Sequence, residues 1–211
     1  MKLIGILDSP YVRRVAISMQ LLGLKFEHDP LSVFRTFPQF QAINPVVKAP
    51  SLICDDGTVL MDSNLILDYA EALAGSGKSL MPRDPHARQQ SLRVIGLALA
   101  ACEKSVQIIY EKNLRPAEKL HAPWMERVTG QLLAAYDALE AELKRASLPA
   151  TRETINQAGI TTAVAWHFTQ MTMPEIVAVA RFPGLSAYSA EAEKRAEFVA
   201  APYGDTTYRS Q

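Results

Sequence analysis

Ser9 stands in the stretch Leu7-Asp8-Ser9-Pro10-Tyr11-Val12-Arg13-Arg14, between an apolar run and the start of a helical pattern. A serine hydroxyl in that place has three uses: it attacks, it caps a helix, or it donates a hydrogen bond to a ligand. Attack requires an activating base, and the nucleophile-elbow pattern G-x-S-x-G is missing, since Leu7, Asp8, Pro10 and Tyr11 surround the serine. His28, His86, His121 and His167 are scattered without partners at motif spacing and read as surface or packing residues. Pro10 in the first helical position makes Ser9 a natural N-cap. The carboxyl end of a strand facing a helix N-terminus is also where anionic ligands collect, so the ligand role stays open beside the cap.

Other candidate chemistry falls away. Cys54 and Cys102 form neither a CxxC pair nor a metal-ligand spacing, which predicts no metal, no disulfide, and a reduced, cytoplasmic setting. Gly75 to Ser79 reads GSGKS, but a phosphate loop needs a glycine at position 72, where Ala72 stands, and it follows a strand instead of a helix. Lys plus Arg and Asp plus Glu each number 22, so the chain has no net field to draw nucleic acid or an anionic membrane. The N-terminus is too short in apolar residues for a secretory signal, and Val94 to Cys102 is about half of a membrane span.

The elements that must position Ser9 follow from periodicity. Leu3 to Leu7 reads as a buried strand, and Val12, Val15, Ala16, Met19 and Leu22 recur at helical spacing, with Arg13 and Arg14 off that stripe. Lys25 to Asp29 is a second strand, parallel to the first. Pro30 to Pro50 reads as irregular, and Ser51 to Cys54 with Thr58 to Leu60 reads as a hairpin around Asp55-Asp56-Gly57. A helix follows Asp62. Ala74 to Pro85 is rich in glycine and proline and reads as a linker. Helices are then predicted over 87–114, 123–146, 156–171, 174–181 and 185–198. At 48% hydrophobic residues the chain has the means to bury a core.

Ser9-Pro10-Tyr11-Val12-Arg13, then Asn44-Pro45-Val46-Val47-Lys48-Ala49-Pro50, then Asp62-Ser63 together resemble the glutathione transferases, and more narrowly their bacterial serine-type members. The resemblance extends to the Tyr110-Glu111 and Arg115-Pro116 pairs and covers the whole chain. It implies an α/β plus all-α architecture: a thioredoxin-like glutathione-binding domain over 1–75, a linker over 76–85 and an all-helical domain over 86–211.

By the same resemblance Ala49-Pro50 is a cis-proline step that leaves the Ala49 backbone to pair with glutathione as an added strand. Asp62 and Ser63 hold its γ-glutamyl end, where a plain N-cap pair is the other reading. Lys48 pairs with its glycyl carboxylate, against the alternative of a solvated loop lysine. Ser9 becomes the catalytic donor that stabilises the glutathione thiolate, which attacks a small electrophile. Tyr11 and Tyr110 would line the second-substrate site between the domains, Trp166 reads as core, and a homodimer is implied. Glutathione is a co-substrate, so no cofactor is expected. Redox relatives carry cysteine at this position, which Ser9 replaces, disfavouring exchange through a protein mixed disulfide.

Two departures from the family pattern stand out. Val47 replaces a common glycine just before the cis-proline, and Asn156-Gln157-Ala158-Gly159 keeps a capping residue but loses the acid of a capping box. With Gly159 also unfavourable in a helix, Gly159→Asp is expected to raise thermal stability. The rival functions are a non-catalytic carrier of glutathione or of a hydrophobic ligand, and an interaction scaffold of the same fold.

Overall fold

Leu3 and Ile4 are fully buried in the first strand, β1 (Lys2–Ile4), and Gly5, at φ 137°, ends it earlier than the apolar run does. The chain then turns through a Ser9 N–H to Ile6 carbonyl bond and enters α1 (Pro10–Leu21). In the computed structural model, residues 1–75, 77–146, 148–149 and 154–208 are described; Ser76, inside the GSGKS stretch, lies outside them.

β2 (Glu27–Asp29) pairs parallel to β1, β3 (Ser51–Ile53) antiparallel to β1, and β4 (Val59–Met61) antiparallel to β3, in the order β2-β1-β3-β4. The Cys54 N–H bonded to the Thr58 carbonyl closes the expected hairpin. α3 (Ser63–Ala74) packs beside α1. This is the thioredoxin-like sheet read from the sequence, with one correction. Residues 37–43, expected to be irregular, form the helix α2 (Phe37–Ile43). It shows no stripe because Phe40 is its one buried residue, and its proline at the second position is tolerated where no N–H is needed.

Of the remaining helices, α4 (Pro85–Leu114), α5 (Ala122–Arg145), α6 (Gln157–Thr172) and α7 (Pro183–Ala192) form an all-helical unit in which α4 packs on both α5 and α6. α6 is buried on nearly every side, and Trp166 lies in the core against Tyr136 and Phe182. No helix among the described residues is long and apolar enough to cross a membrane.

The helix expected over 174–181 is instead a turn followed by a short 3-10 segment, Val179–Arg181. Gln170 Nε2 donates to the Val177 carbonyl at 2.9 Å, taking an acceptor that a helix would need. The helix expected over 185–198 is two, α7 and α8 (Ala196–Ala200).

The gap between them marks where the chain changes unit. Contacts divide the molecule into 1–81 with 193–211, and 82–192, so the last segment joins the sheet where the sequence placed it with the helices. The physical reason is Arg13, 1% exposed, which clasps Glu193 through two bonds of 2.6 Å and donates from Nε to the Ala201 carbonyl at 2.8 Å. A buried guanidinium must be paired, and its partners come from the chain's far end.

The expectation for Gly159→Asp is overturned. Asn156 Oδ1 accepts from the Gly159 N–H at 3.0 Å, so the cap exists, but a Cβ on Gly159 would lie 2.1 Å from the Tyr188 hydroxyl. That hydroxyl donates to the Pro149 carbonyl at 2.9 Å. Any side chain at 159 displaces Tyr188 and breaks this bond, so the substitution destabilises.

Candidate functional site

At the start of α1 the Ser9 backbone is extended (φ −70°, ψ 122°) and its Oγ accepts a long hydrogen bond, 3.4 Å, from the Val12 N–H. The hydroxyl is half-buried, and its own proton finds no acceptor among the described residues. Capping uses the oxygen's lone pair and leaves the O–H to donate, so the two readings of Ser9 are compatible.

Gly5 draws the next piece in. A Cβ there would lie 2.6 Å from Val12 Cγ2 and 3.4 Å from Ala49 Cβ, so only a glycine lets α1 and the Ala49 loop approach this closely. The Ala49–Pro50 peptide bond is cis. Asn44, buried, organises the loop: its Oδ1 accepts from the Val46 N–H at 3.0 Å, and its Nδ2 donates to Ser51 Oγ at 2.9 Å. Ser51 Oγ in turn donates to the Lys48 carbonyl at 2.8 Å. Val47, in the middle, holds φ at 52°, the left-handed region where a β-branched residue is strained. The departure noted in the sequence is therefore one of backbone geometry.

Lys48 Nζ lies 3.7 Å from Asp62 Oδ2, in an ion pair whose side chains are both exposed. Asp62 caps α3, accepting from the Asn64 N–H at 2.9 Å, and holds φ at 75° to do so. Ser63 follows it, 3% exposed, and accepts from Arg14 Nη1 at 3.0 Å. The same Nη1 donates to Asn64 Oδ1 at 2.9 Å, and Arg14 is 2% exposed.

Ser9, Lys48, Ala49, Pro50, Asp62 and Ser63 thus share the sheet-bearing unit and are linked through Gly5, Val12 and Arg14. Tyr11 belongs to this unit, half-buried; Tyr110, 43% exposed, lies on α4 in the helical unit.

Four contributors escaped the sequence reading: Asp8, Arg14, Asn44 and Asn64. Arg14 offered one signal, a charged residue in a helix whose positions 12–19 are all buried. Asp8, just before Ser9, has its carboxyl pushed up to about 6, first by burial and then by nearby Asp205, against the opposing pull of Arg35 and the Ser9 N–H. Arg35 grips Asp205 through bonds of 2.6 and 2.5 Å. Nearby, His28 donates from Nε2 to the Gly5 carbonyl at 2.7 Å and accepts the Tyr208 N–H on Nδ1 at 3.0 Å. The neutral tautomer satisfies both bonds, and burial holds the imidazole below its usual pKa.

This arrangement has counterparts. Residues 3–79 match the family described as glutathione S-transferase, N-terminal domain. Glutathione S-transferase U4 of Arabidopsis thaliana is 26% identical over 62% of this chain, and the match spans 61% of that enzyme's length. An uncharacterized GST-like protein of Escherichia coli is 28% identical over 78% of this chain and 80% of its own. Among solved structures, a glutathione transferase family member from Pseudomonas fluorescens with bound glutathione shares 29% identity. It covers 95% of this chain and 97% of that one, at a TM-score of 0.81. Residues 3–79 thus match the glutathione S-transferase N-terminal domain model, and the chain, over nearly its whole length, is similar to a solved glutathione transferase family member.

Proposed function

We propose that the protein is a glutathione transferase of the serine type, in which the Ser9 hydroxyl donates a hydrogen bond to the glutathione thiolate. The observation that carries this reading is the Ser9 hydroxyl itself, its oxygen accepting from the Val12 N–H at 3.4 Å and its proton uncommitted at the start of α1. A ligand sulfur placed there meets a donor and the positive end of a helix.

The energetics suffice without a base. A free thiol with a pKa of about 8.5 is roughly 3% ionised at pH 7, and a pKa of about 6.5 makes it roughly three-quarters ionised, a shift of about 2.7 kcal/mol. A hydrogen bond to a charged group supplies about 1.5 to 3 kcal/mol. The helix end adds about 0.3 to 1 kcal/mol. The thiol proton leaves to solvent, and the thiolate's electron pair forms the new carbon–sulfur bond as the electrophile's own bonding pair departs with its leaving group or, in an addition, moves to the neighbouring atom and takes a proton from solvent.

In this reading the Ala49 backbone pairs with the cysteinyl residue and Lys48 serves the glycyl carboxylate. Asp62 faces the γ-glutamyl ammonium and Ser63 the adjoining carboxylate. Tyr11 and Tyr110 are assigned to the electrophile, and the working form is a homodimer. The bound Pseudomonas relative supports glutathione as the ligand class.

The test is calorimetric titration of reduced glutathione into wild type and Ser9→Ala, with thiolate absorbance followed across pH. Binding by both proteins, with the downward thiol shift lost only in Ser9→Ala, supports the reading. Turnover of an electrophile by wild type separates an enzyme from a carrier. If neither protein binds glutathione, Ser9 is a helix cap and the reading fails.

A further inference from the structure

From the geometry around Ser63 we infer that Arg14 is a positioning residue: it turns the Ser63 hydroxyl into an outward donor and so selects a ligand that carries a carboxylate at the start of α3. This rests on the proposed binding of glutathione and assigns a task to a side chain that touches none of it.

The argument begins with the direction of one hydrogen bond. A guanidinium has five N–H donors and no acceptor, so in the 3.0 Å contact Ser63 Oγ can only accept. The single proton on that oxygen is directed elsewhere, and no described residue accepts it. Ser63 is 3% exposed, and a buried hydroxyl whose proton stays unbonded is costly. A ligand oxygen completes it.

The charge points the same way. Arg14 is 2% exposed and lies behind the first turn of α3, where the helix itself favours negative charge. The neighbouring negative group, Asp62, is offset on its outer side by Lys48 at 3.7 Å. The second Arg14 bond, to Asn64 Oδ1 at 2.9 Å, keeps the guanidinium from swinging away from Ser63. A carboxylate at this spot is matched by the outward Ser63 O–H and by the helix end together.

The test compares two probes. One is glutathione; the other is 4-aminobutanoyl-cysteinylglycine, which is glutathione with hydrogen in place of the γ-glutamyl carboxylate. Wild type is expected to prefer glutathione. Arg14→Met is expected to weaken glutathione about tenfold, the effect of losing a charge-assisted bond, while leaving the analogue's affinity unchanged. The Ser9-dependent thiol pKa and the rate at saturation should not move. In a Ser63→Ala background, Arg14→Met should add little further loss, because the oriented donor is already gone.

If Arg14→Met fails to fold, Arg14→Lys carries the test. Its single nitrogen keeps the charge but cannot hold both Ser63 and Asn64 in the guanidinium's geometry, so the preference for glutathione should fall between the two. Equal loss of both probes would mark Arg14 as structural only and overturn the inference. So would unaltered preference in Arg14→Met or Arg14→Lys, or a wild type that binds both probes alike; in that last case glutathione binding itself stands. A wild type that binds neither probe removes the reading and the inference together.

Discussion

The two units start their helices with different chemistry. In the helical unit the caps are acceptors fully used by the helix: Asp84 Oδ1 on the Ala87 N–H at 2.8 Å, and Asn156 Oδ1 on the Gly159 N–H at 3.0 Å. α7 is capped from a distance, by the buried carboxylate of Glu140 on the N–H groups of Gly184 and Leu185, each at 2.9 Å. In the sheet-bearing unit a hydroxyl does the work at α1, and at α3 the labour is divided, Asp62 capping while Ser63 accepts from Arg14 and keeps its proton to donate. A carboxylate or amide-oxygen cap can only accept, so it has no proton to give a ligand's anion. A hydroxyl cap keeps a proton to donate.

The largest break in this comparison comes at Glu140. Glu140→Ala strands the buried Leu185 N–H and the half-buried Gly184 N–H and should cost about 3 kcal/mol. The melting temperature should fall by about 10 °C. Calorimetric affinity for glutathione should be unchanged, because nothing in the ligand-facing unit has been touched; a large loss of affinity would erase the distinction drawn here.

Ser9→Ala should do the converse. Returning the thiol pKa from about 6.5 to about 8.5 leaves about 25-fold less thiolate at pH 7, readable as a matching loss of rate. The accompanying stability loss should be only that of a helix cap, about 1 kcal/mol. A melting temperature that collapses alongside the rate would return Ser9 to the class of plain caps.

Val47→Gly sharpens the picture at the loop. Relieving a β-branched residue at φ 52° should stabilise the protein by about 0.5 to 1 kcal/mol, partly offset by the freer unfolded chain, as seen in denaturant titration. No change would mean that the Asn44 network fully compensates the strain.

The smallest effect is at Asp8. Its folded pKa of about 6 lies above the unfolded carboxylate value, so the folded state holds the proton more tightly and stability declines as pH rises from about 4 to about 6. Asp8→Asn keeps an acceptor for the Ser9 N–H and removes the charge facing Asp205. Its melting temperature should exceed that of wild type at pH 7.5 and match it near pH 4; the opposite order would show that Arg35 outweighs burial.

The sheet and its helices were legible because burial writes itself as period: the stripe from Val12 to Leu22 and the hairpin at Asp55-Asp56-Gly57 stand in the sequence unaided. α2 was illegible because a helix with one buried residue has no stripe. Ser9 and Ser63 could be found as residues at helix starts, but the direction of their protons could not, since it depends on Val12 and on Arg14 across the fold. The expectation for Gly159 failed for the same reason. Helix propensity is local, while the space occupied by Tyr188 belongs to another helix. Arg13 and Arg14, adjacent in sequence and both buried, diverge to Glu193 and to Ser63, and no spacing rule announces that.

The clasp between Arg13 and Glu193 has a consequence for how the protein is made. The strands and α1 leave the ribosome long before Glu193 and Ala201, with all of residues 82–192 synthesised in between. Until those last residues emerge, a guanidinium destined for the interior has no counter-charge, so the first unit to be translated is not the first that can close. The helical unit, continuous in sequence, is free to fold ahead of it.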